Sequence, residues 1–228
     1  DAAAIAATAD RLGQSLRYTF SGTAGQTVSL VWSGSTYVSS TNLYVYQPDG
    51  SAILSSQRAD TSSTPSGSRS LALTQTGTYT VYLLPSGPAS TLGSLSLQLK
   101  NTASGNLVLD GTATTISLSA GQQGIYTFDG TAGQVVGLAL SGYSSSPSGG
   151  IVTVKLISPQ GVAIADCGSL SGTTGCSATN NPPGPQLPST GTYRVLVEAD
   201  GMHAGTGSLI VSTALNGALT VDAAAIAA

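Results

Sequence analysis

Arg17-Tyr18-Thr19-Phe20-Ser21-Gly22-Thr23-Ala24-Gly25-Gln26 returns 108 positions later as Ile125-Tyr126-Thr127-Phe128-Asp129-Gly130-Thr131-Ala132-Gly133-Gln134. Large apolar residues on alternate positions, closed by Thr-Ala-Gly-Gln, describe a strand running into a turn, and the chain holds it twice. Working outward, Gln47-Pro48-Asp49-Gly50 matches Ser158-Pro159-Gln160-Gly161, and Thr76-Gly77-Thr78-Tyr79 matches Thr190-Gly191-Thr192-Tyr193. Gly93-Ser94-Leu95 pairs in the same way with Gly207-Ser208-Leu209. The spacing widens because the second copy carries longer loops, among them Asn181-Pro182-Pro183-Gly184-Pro185. Extra residues in loops, with strand motifs intact, are the mark of a duplicated β domain.

Period-two alternation assigns faces, because successive strand side chains point to opposite sides. Leu16, Tyr18 and Phe20 share a face, as do Val28, Leu30 and Trp32. Their counterparts are Gly124, Tyr126 and Phe128, then Val136, Leu138 and Leu140, with Gly124 the one gap in a predicted core. Leu43 and Val45 align with Val154 and Leu156, and Tyr79, Val81 and Leu83 with Tyr193, Val195 and Val197, so these too are core. Tyr44 aligns with Lys155, and Thr80-Tyr82-Leu84 with Arg194-Leu196-Glu198, so these point at least partly outward. The Ala-rich residues 2–9 would suit a helix, but their counterpart, Gly111 to Leu118, is a strand sequence and fixes the reading as extended. The predicted fold class is all-β: two tandem jelly-roll or Ig-like β-sandwich modules. Module 1 spans residues 1–104 and module 2 spans 105–216, with 217–228 leading into a next repeat.

A longer period lies over the first. Asp1-Ala2-Ala3-Ala4-Ile5-Ala6-Ala7 recurs as Asp222-Ala223-Ala224-Ala225-Ile226-Ala227-Ala228. Gly217-Ala218-Leu219-Thr220-Val221-Asp222 matches Gly105-Asn106-Leu107-Val108-Leu109-Asp110, so each module is approached through one Gly-x-Leu-x-(Val/Leu)-Asp strand. We expect the pair of modules to recur in tandem in a longer protein. Asp1, Ile5, Leu219, Val221, Asp222 and Ile226 are then candidates for a module-junction strand that adds to the edge of an adjoining sheet.

Composition narrows the function. Charged residues make up 7% of the chain and the net charge is -3, with no basic stretch for a phosphate backbone, so no nucleic-acid partner is expected. No run approaches the roughly 18 apolar residues of a membrane helix, so no membrane insertion is expected. Asp1 opens without a basic signal-peptide region, so an export signal is expected outside these residues. Cys167 and Cys176 bracket a short Gly/Ser/Thr loop and are read as a local disulfide, which places the protein in an oxidising compartment. With one His and one Glu, and no Gly-x-Ser-x-Gly elbow, no enzyme is expected: His203 sits in a Gly-rich turn and Glu198 on the wet side of a strand. Outward Tyr44 and Tyr82 are candidate ligand-facing aromatics, able to stack on sugar rings.

The order Tyr-Thr-Phe, Ala-Gly-Gln, alternating strand, Pro-Asp-Gly, Thr-Gly-Thr-Tyr-Thr-Val, Gly-Ser-Leu resembles the bacterial pre-peptidase C-terminal domain, over residues 14–100 and 122–213. The resemblance implies a jelly-roll-like sandwich outside the cell, and in some members binding of collagen or polysaccharide. It also implies calcium in those members that carry an acidic cluster. Here Asp1, Asp10, Asp49, Asp60, Asp110, Asp129, Asp166, Asp200 and Asp222 are scattered, so no cofactor is expected, and calcium is only what the resemblance leaves open. The sequence thus describes a structural and adhesive repeat unit of an extracellular bacterial surface protein or fibre, its chief partner further copies of itself. The alternative is a carbohydrate- or protein-binding module appended to a secreted enzyme, its partner a polysaccharide or host polymer.

Overall fold

The computed structural model describes residues 2–38, 40–86, 92–171, 176–177 and 185–215. The first half forms two four-stranded antiparallel sheets. One holds β1 (Ile5–Ala9), β8 (Gly93–Asn101), β3 (Thr27–Ser33) and β6 (Gly67–Ala72), in that spatial order. The other holds β2 (Leu16–Gly22), β7 (Gly77–Pro85), β4 (Thr41–Tyr46) and β5 (Ala52–Arg58). Eight strands shared between two sheets in this interleaved order make a jelly roll.

The second half repeats it. One sheet is β10 (Thr114–Leu118), β17 (Ala204–Thr213), β12 (Val136–Ser146) and β15 (Cys176–Ser177). The other is β14 (Ala163–Ser171), β13 (Ile151–Ile157), β16 (Gly191–Ala199) and β11 (Gln123–Gly130), with β9 (Ala103–Asn106) added beside β11 in parallel. The architecture is therefore the all-β, two-sandwich arrangement that alternation and turn spacing predict. Among the described residues no helix is long and apolar enough to cross a membrane.

Each half has its own apolar core. Trp32, Leu43, Val45, Tyr79, Val81 and Leu83 are buried in the first, and Leu140, Val154, Leu156, Tyr193, Val195 and Val197 in the second. The recurring motifs meet within one sheet of each half, along the β2–β7 and β11–β16 pairs. Phe20 stacks on Tyr79 with ring centroids 5.2 Å apart, and Phe128 on Tyr193 at 5.5 Å. The Tyr79 hydroxyl donates to the Gln75 carbonyl at 2.7 Å, and that of Tyr193 to the Ser189 carbonyl at 2.6 Å, so each buried phenol is satisfied four residues upstream. Thr76 Oγ1 accepts from the Ala24 amide at 3.0 Å, as Thr190 Oγ1 does from Ala132. Thr-Gly-Thr-Tyr and Thr-Ala-Gly-Gln, far apart in sequence, are thus one joint. Gly77 and Gly191 sit at φ 152° and 154° against Pro48 and Pro159, where a β-carbon would lie 2.9 and 3.0 Å from the proline ring.

Three sequence readings change. Leu107 to Asp110 is not strand: β9 ends at Asn106, and the chain turns before β10, with the Gly111 amide donating to the Val108 carbonyl at 3.0 Å. Gly93-Ser94-Leu95 does not stand over Gly207-Ser208-Leu209. The β1–β8 and β10–β17 registers put Leu97 opposite Ile5 and Leu209 opposite Thr114, which makes Gly205 the counterpart of Gly93. A slip of two residues leaves every face unchanged, so alternation could not detect it. Gly124 is no gap, since the Tyr126 ring and Leu118 occupy the space a β-carbon would enter.

Candidate functional site

The outer face of β2-β7-β4-β5 carries a row of rings. Tyr82 on β7 has Arg17 of β2 as its cross-strand partner on one side and Tyr44 of β4 on the other. Its ring meets that of Tyr46 edge-on, with centroids 5.7 Å apart and planes at 84°. All three tyrosines are half-buried, Arg17 is exposed, and an Arg17 Nη donates to Thr80 Oγ1 at 3.4 Å. Tyr46, Tyr82 and Arg17 wall an open groove of about 650 Å³, lined also by Gln47, Pro48 and Leu84. Of the two aromatics singled out from sequence, Tyr82 lines the groove, whereas Tyr44 lies on the same face outside its lining. Tyr46, Arg17 and Leu84 complete it, and the signal that could have found them is their shared phase with Tyr82, Leu84 on its own strand and Arg17 and Tyr46 on the adjacent ones.

The same face in the second module is partly covered. There a hollow of about 230 Å³ is lined by Gln123, Ile125, Ile157, Gly161, Arg194 and Leu196, and across from them by Thr27, Ser70 and Ala72 of the first module. In the shared strand register these second-module residues are the counterparts of Ser15, Arg17, Tyr46, Gly50, Thr80 and Tyr82, all of which line the open groove. One face, used twice, is open in the first module and roofed by a neighbour in the second.

The contact that provides the roof is polar and close. The Gln123 amide donates to Ser29 Oγ at 3.2 Å, Ser70 Oγ donates to Gln123 Oε1 at 2.7 Å, and Gln123 Nε2 donates to Glu198 at 2.9 Å. Lys100 Nζ donates to Ser119 Oγ at 3.2 Å, and Gln122 Nε2 to the Asn101 carbonyl at 2.9 Å. Burial pushes the Lys100 ammonium below its ordinary range. Glu198, read from the sequence as solvated, is thus a half-buried member of this contact. The contact also explains why β3 is buried on both faces from Val28 to Trp32: its inner face packs on the core, and Ser29 and Val31 face the second module.

The remaining candidates fall as follows. Ile5 lies on β1 and pairs with Leu97 of β8 in its own module. Asp1, Leu219, Val221, Asp222 and Ile226 lie outside the described residues. Cys167 is half-buried on β14 and its thiol is not free, while Cys176 is described only through its backbone pairing with Leu140. His203 Nδ1 is 2.6 Å from Asp200 Oδ1, so the histidine does have an acid beside it. That carboxylate also accepts from the amides of Ile151, Met202 and His203, which makes it the organiser of the turn before β17. Burial alone would raise the Asp200 carboxyl, and these hydrogen bonds hold it below its ordinary range instead. Asp49 and Asp110 are likewise taken up locally, by Ser51 and Gln75 and by Thr213.

Residues 14–84, from ahead of β2 into β7, match the family model of the bacterial pre-peptidase C-terminal domain. No curated protein matches the chain. Among solved structures, the M60 catalytic domain with the CBM51-1 and CBM51-2 domains of Clostridium perfringens ZmpB is similar at 9% identity and a TM-score of 0.30. That likeness covers 87% of this chain and 34% of that one, so the chain spans about a third of its length. The CUB1-EGF-CUB2 domain of human MASP-1/3 is similar at 11% identity and a TM-score of 0.30, over 92% of this chain and 98% of that one. The CBM22-1-CBM22-2 tandem of Paenibacillus barcinonensis Xyn10C is similar at 11% identity and a TM-score of 0.25, over 92% and 91%.

Proposed function

We propose, starting from a first module of pre-peptidase C-terminal type, that this chain is a structural and adhesive repeat unit of a long extracellular bacterial surface protein or fibre. The observation that carries the reading is the junction between the two sandwiches. Gln123 ties Ser29, Ser70 and Glu198 together across it, and Gly201 comes so near Gly67 that a β-carbon on it would lie 2.3 Å from the Gly67 α-carbon. Modules held by a built contact and a linker of a few residues transmit force and keep their spacing; modules meant only to be carried on a tether need neither. The near-identical ends of the chain support continuation of that spacing from unit to unit. Sparse charge supports close approach of neighbours. A Cys167–Cys176 disulfide belongs to the same reading, as the pin of a short loop in an oxidising environment.

Electron microscopy of the native protein on, or shed from, its source cells tests this. The reading requires continuous filaments with an axial repeat of two modules, and separate beads on a flexible thread would refute it. A second reading draws on the Tyr82 groove: ring faces beside an arginine suit a polysaccharide strand. It requires glycan binding that Tyr82→Ala and Tyr46→Ala abolish.

A further inference from the structure

Where the two modules meet, they leave a hollow between them that belongs to both. Thr27 of β3 and Ser70 of β6 stand on one side, and Ile125 of β11, Ile157 of β13 and Arg194 and Leu196 of β16 on the other. Gln123 holds the two sides together, 2.7 Å from the Ser70 hydroxyl and 3.2 Å from that of Ser29. The space is about 230 Å³. Sites for drug-sized ligands run to about 300–1,000 Å³ and gather at domain interfaces, so this one is of a size for a smaller molecule.

The hollow carries one charge. Arg194 is the sole charged residue of its lining, and among the described residues no hydrogen bond or ion pair engages it. One of its Nη atoms lies over the turn after β13, 3.9 Å from where a β-carbon on Gly161 would stand. Glu198, the carboxylate of the junction, is not in the lining and accepts from Gln123 instead. Ile125, Ile157 and Leu196, all half-buried, give the second module's side an apolar surface beside the guanidinium.

The first module shows that the charge belongs to the place and not to one residue. There the position of Arg194 is held by Thr80, and that of Ile125 by Arg17. Arg17 reaches across from β2 and sets an Nη 3.4 Å from the Thr80 hydroxyl. Both positions differ between the copies, yet each copy has one guanidinium over the same part of the same face, and no carboxylate lines either groove. The chain has only seven Lys and Arg residues, so a cation recurring at one place is not the background of a basic surface.

We propose that the hollow between the modules binds a small organic carboxylate, its charge paired with Arg194 and its apolar body laid against Ile125, Ile157 and Leu196. A guanidinium presents paired donors that match the two oxygens of a carboxylate. One guanidinium, with no second cation in the lining, suits a monoanion better than a phosphate dianion. Thr27 and Ser70 border the same space from the first module. A ligand that touches both modules favours the docked pair over the parted one by mass action. This goes beyond the repeat-unit reading, which holds with or without such a ligand.

Benzoate, titrated into the full chain and followed by backbone amide chemical shifts, tests the site. Benzamide keeps the ring and loses the charge; inorganic phosphate keeps the charge and loses the ring. The expected result is saturable binding of benzoate with shifts on both sides of the hollow, at Thr27 and Ser70 as well as at Ile125 and Leu196. Benzamide and phosphate each bind at least about tenfold more weakly. Arg194→Thr, which installs the first module's own residue, and Arg194→Gln each weaken benzoate by at least about tenfold with unchanged circular dichroism. Absence of saturation, equal binding of benzamide or phosphate, unchanged binding in the Arg194 variants, or shifts confined to the second module overturns the site. Filament microscopy uses no ligand, so that failure leaves the repeat-unit reading where it stands.

Discussion

Gly205 lies so close to Tyr143 that a β-carbon there would fall 2.3 Å from the phenol oxygen, and Gly93 stands in the same relation to Tyr37, 2.7 Å from its ring. Each glycine is the floor under a fully buried tyrosine. Gly205→Ala and Gly93→Ala are each expected to cost about 1–3 kcal/mol, the range for overpacking a filled core. Urea unfolding of each variant measures it.

The two tyrosines differ at their hydroxyls. Tyr37 Oη donates to the Ala7 carbonyl at 3.3 Å and accepts from the Ala9 amide at 3.1 Å, holding β1 in place. Among the described residues the buried Tyr143 hydroxyl has no hydrogen-bond partner. Removing the oxygen should therefore act with opposite signs. Tyr37→Phe is expected to destabilise by about 1–3 kcal/mol, and Tyr143→Phe to stabilise by a similar or smaller amount. The order of the two unfolding midpoints about wild type decides it.

Acid should loosen the first module through Asp60. Its fully buried carboxylate accepts from Arg58 Nε at 2.8 Å, from Ser62 at 2.7 Å and from the Thr41 amide at 3.2 Å. Burial by itself would raise this carboxyl, but the bonds and the Arg58 charge hold it below its ordinary value. A depressed folded value means the unfolded chain binds the proton more tightly. The stabilisation is therefore present above the unfolded value of roughly 3.9, and is lost as pH falls through the folded one. Urea midpoints taken from pH 6 to pH 2 are expected to drop below about pH 4. They should drop less steeply in Asp60→Asn, which is already less stable at neutral pH.

The junction can be tested at its tightest point. Gly201→Val sets a side chain against the Gly67 backbone and is expected to part the sandwiches without unfolding either one. X-ray scattering would then show a longer, looser particle with unchanged circular dichroism. A scattering curve that superimposes on wild type would refute this junction.

The sandwich was legible because alternation and the internal echo report on the same thing: the faces of Leu43–Val45 and Tyr79–Leu83 are buried as the pattern predicts. What escaped depends on contacts that alternation cannot see. Ser29 and Val31 sit on an outward phase, yet they are buried by the second module. Glu198 looks solvated until Gln123 reaches it from the neighbouring strand. Gly93 and Gly205 are matched only by a register that pairing with β1 and β10 fixes. Of the candidate site, Tyr82 was readable as an outward ring, but Tyr46 and Arg17 join it only once β2, β7 and β4 lie side by side.

The parallel direction of β9 also sets how the chain answers a pull. Module 1 meets module 2 at the leading end of β11, through Gln122 and Gln123, and β9 starts at that same end. Tension between the modules therefore runs along the strand axis, and the bonds joining β9 to β11 bear it together in shear. An antiparallel strand entering from the far end would open one bond at a time, like a zipper. The direction of a four-residue strand thus makes the linker yield all at once instead of bond by bond.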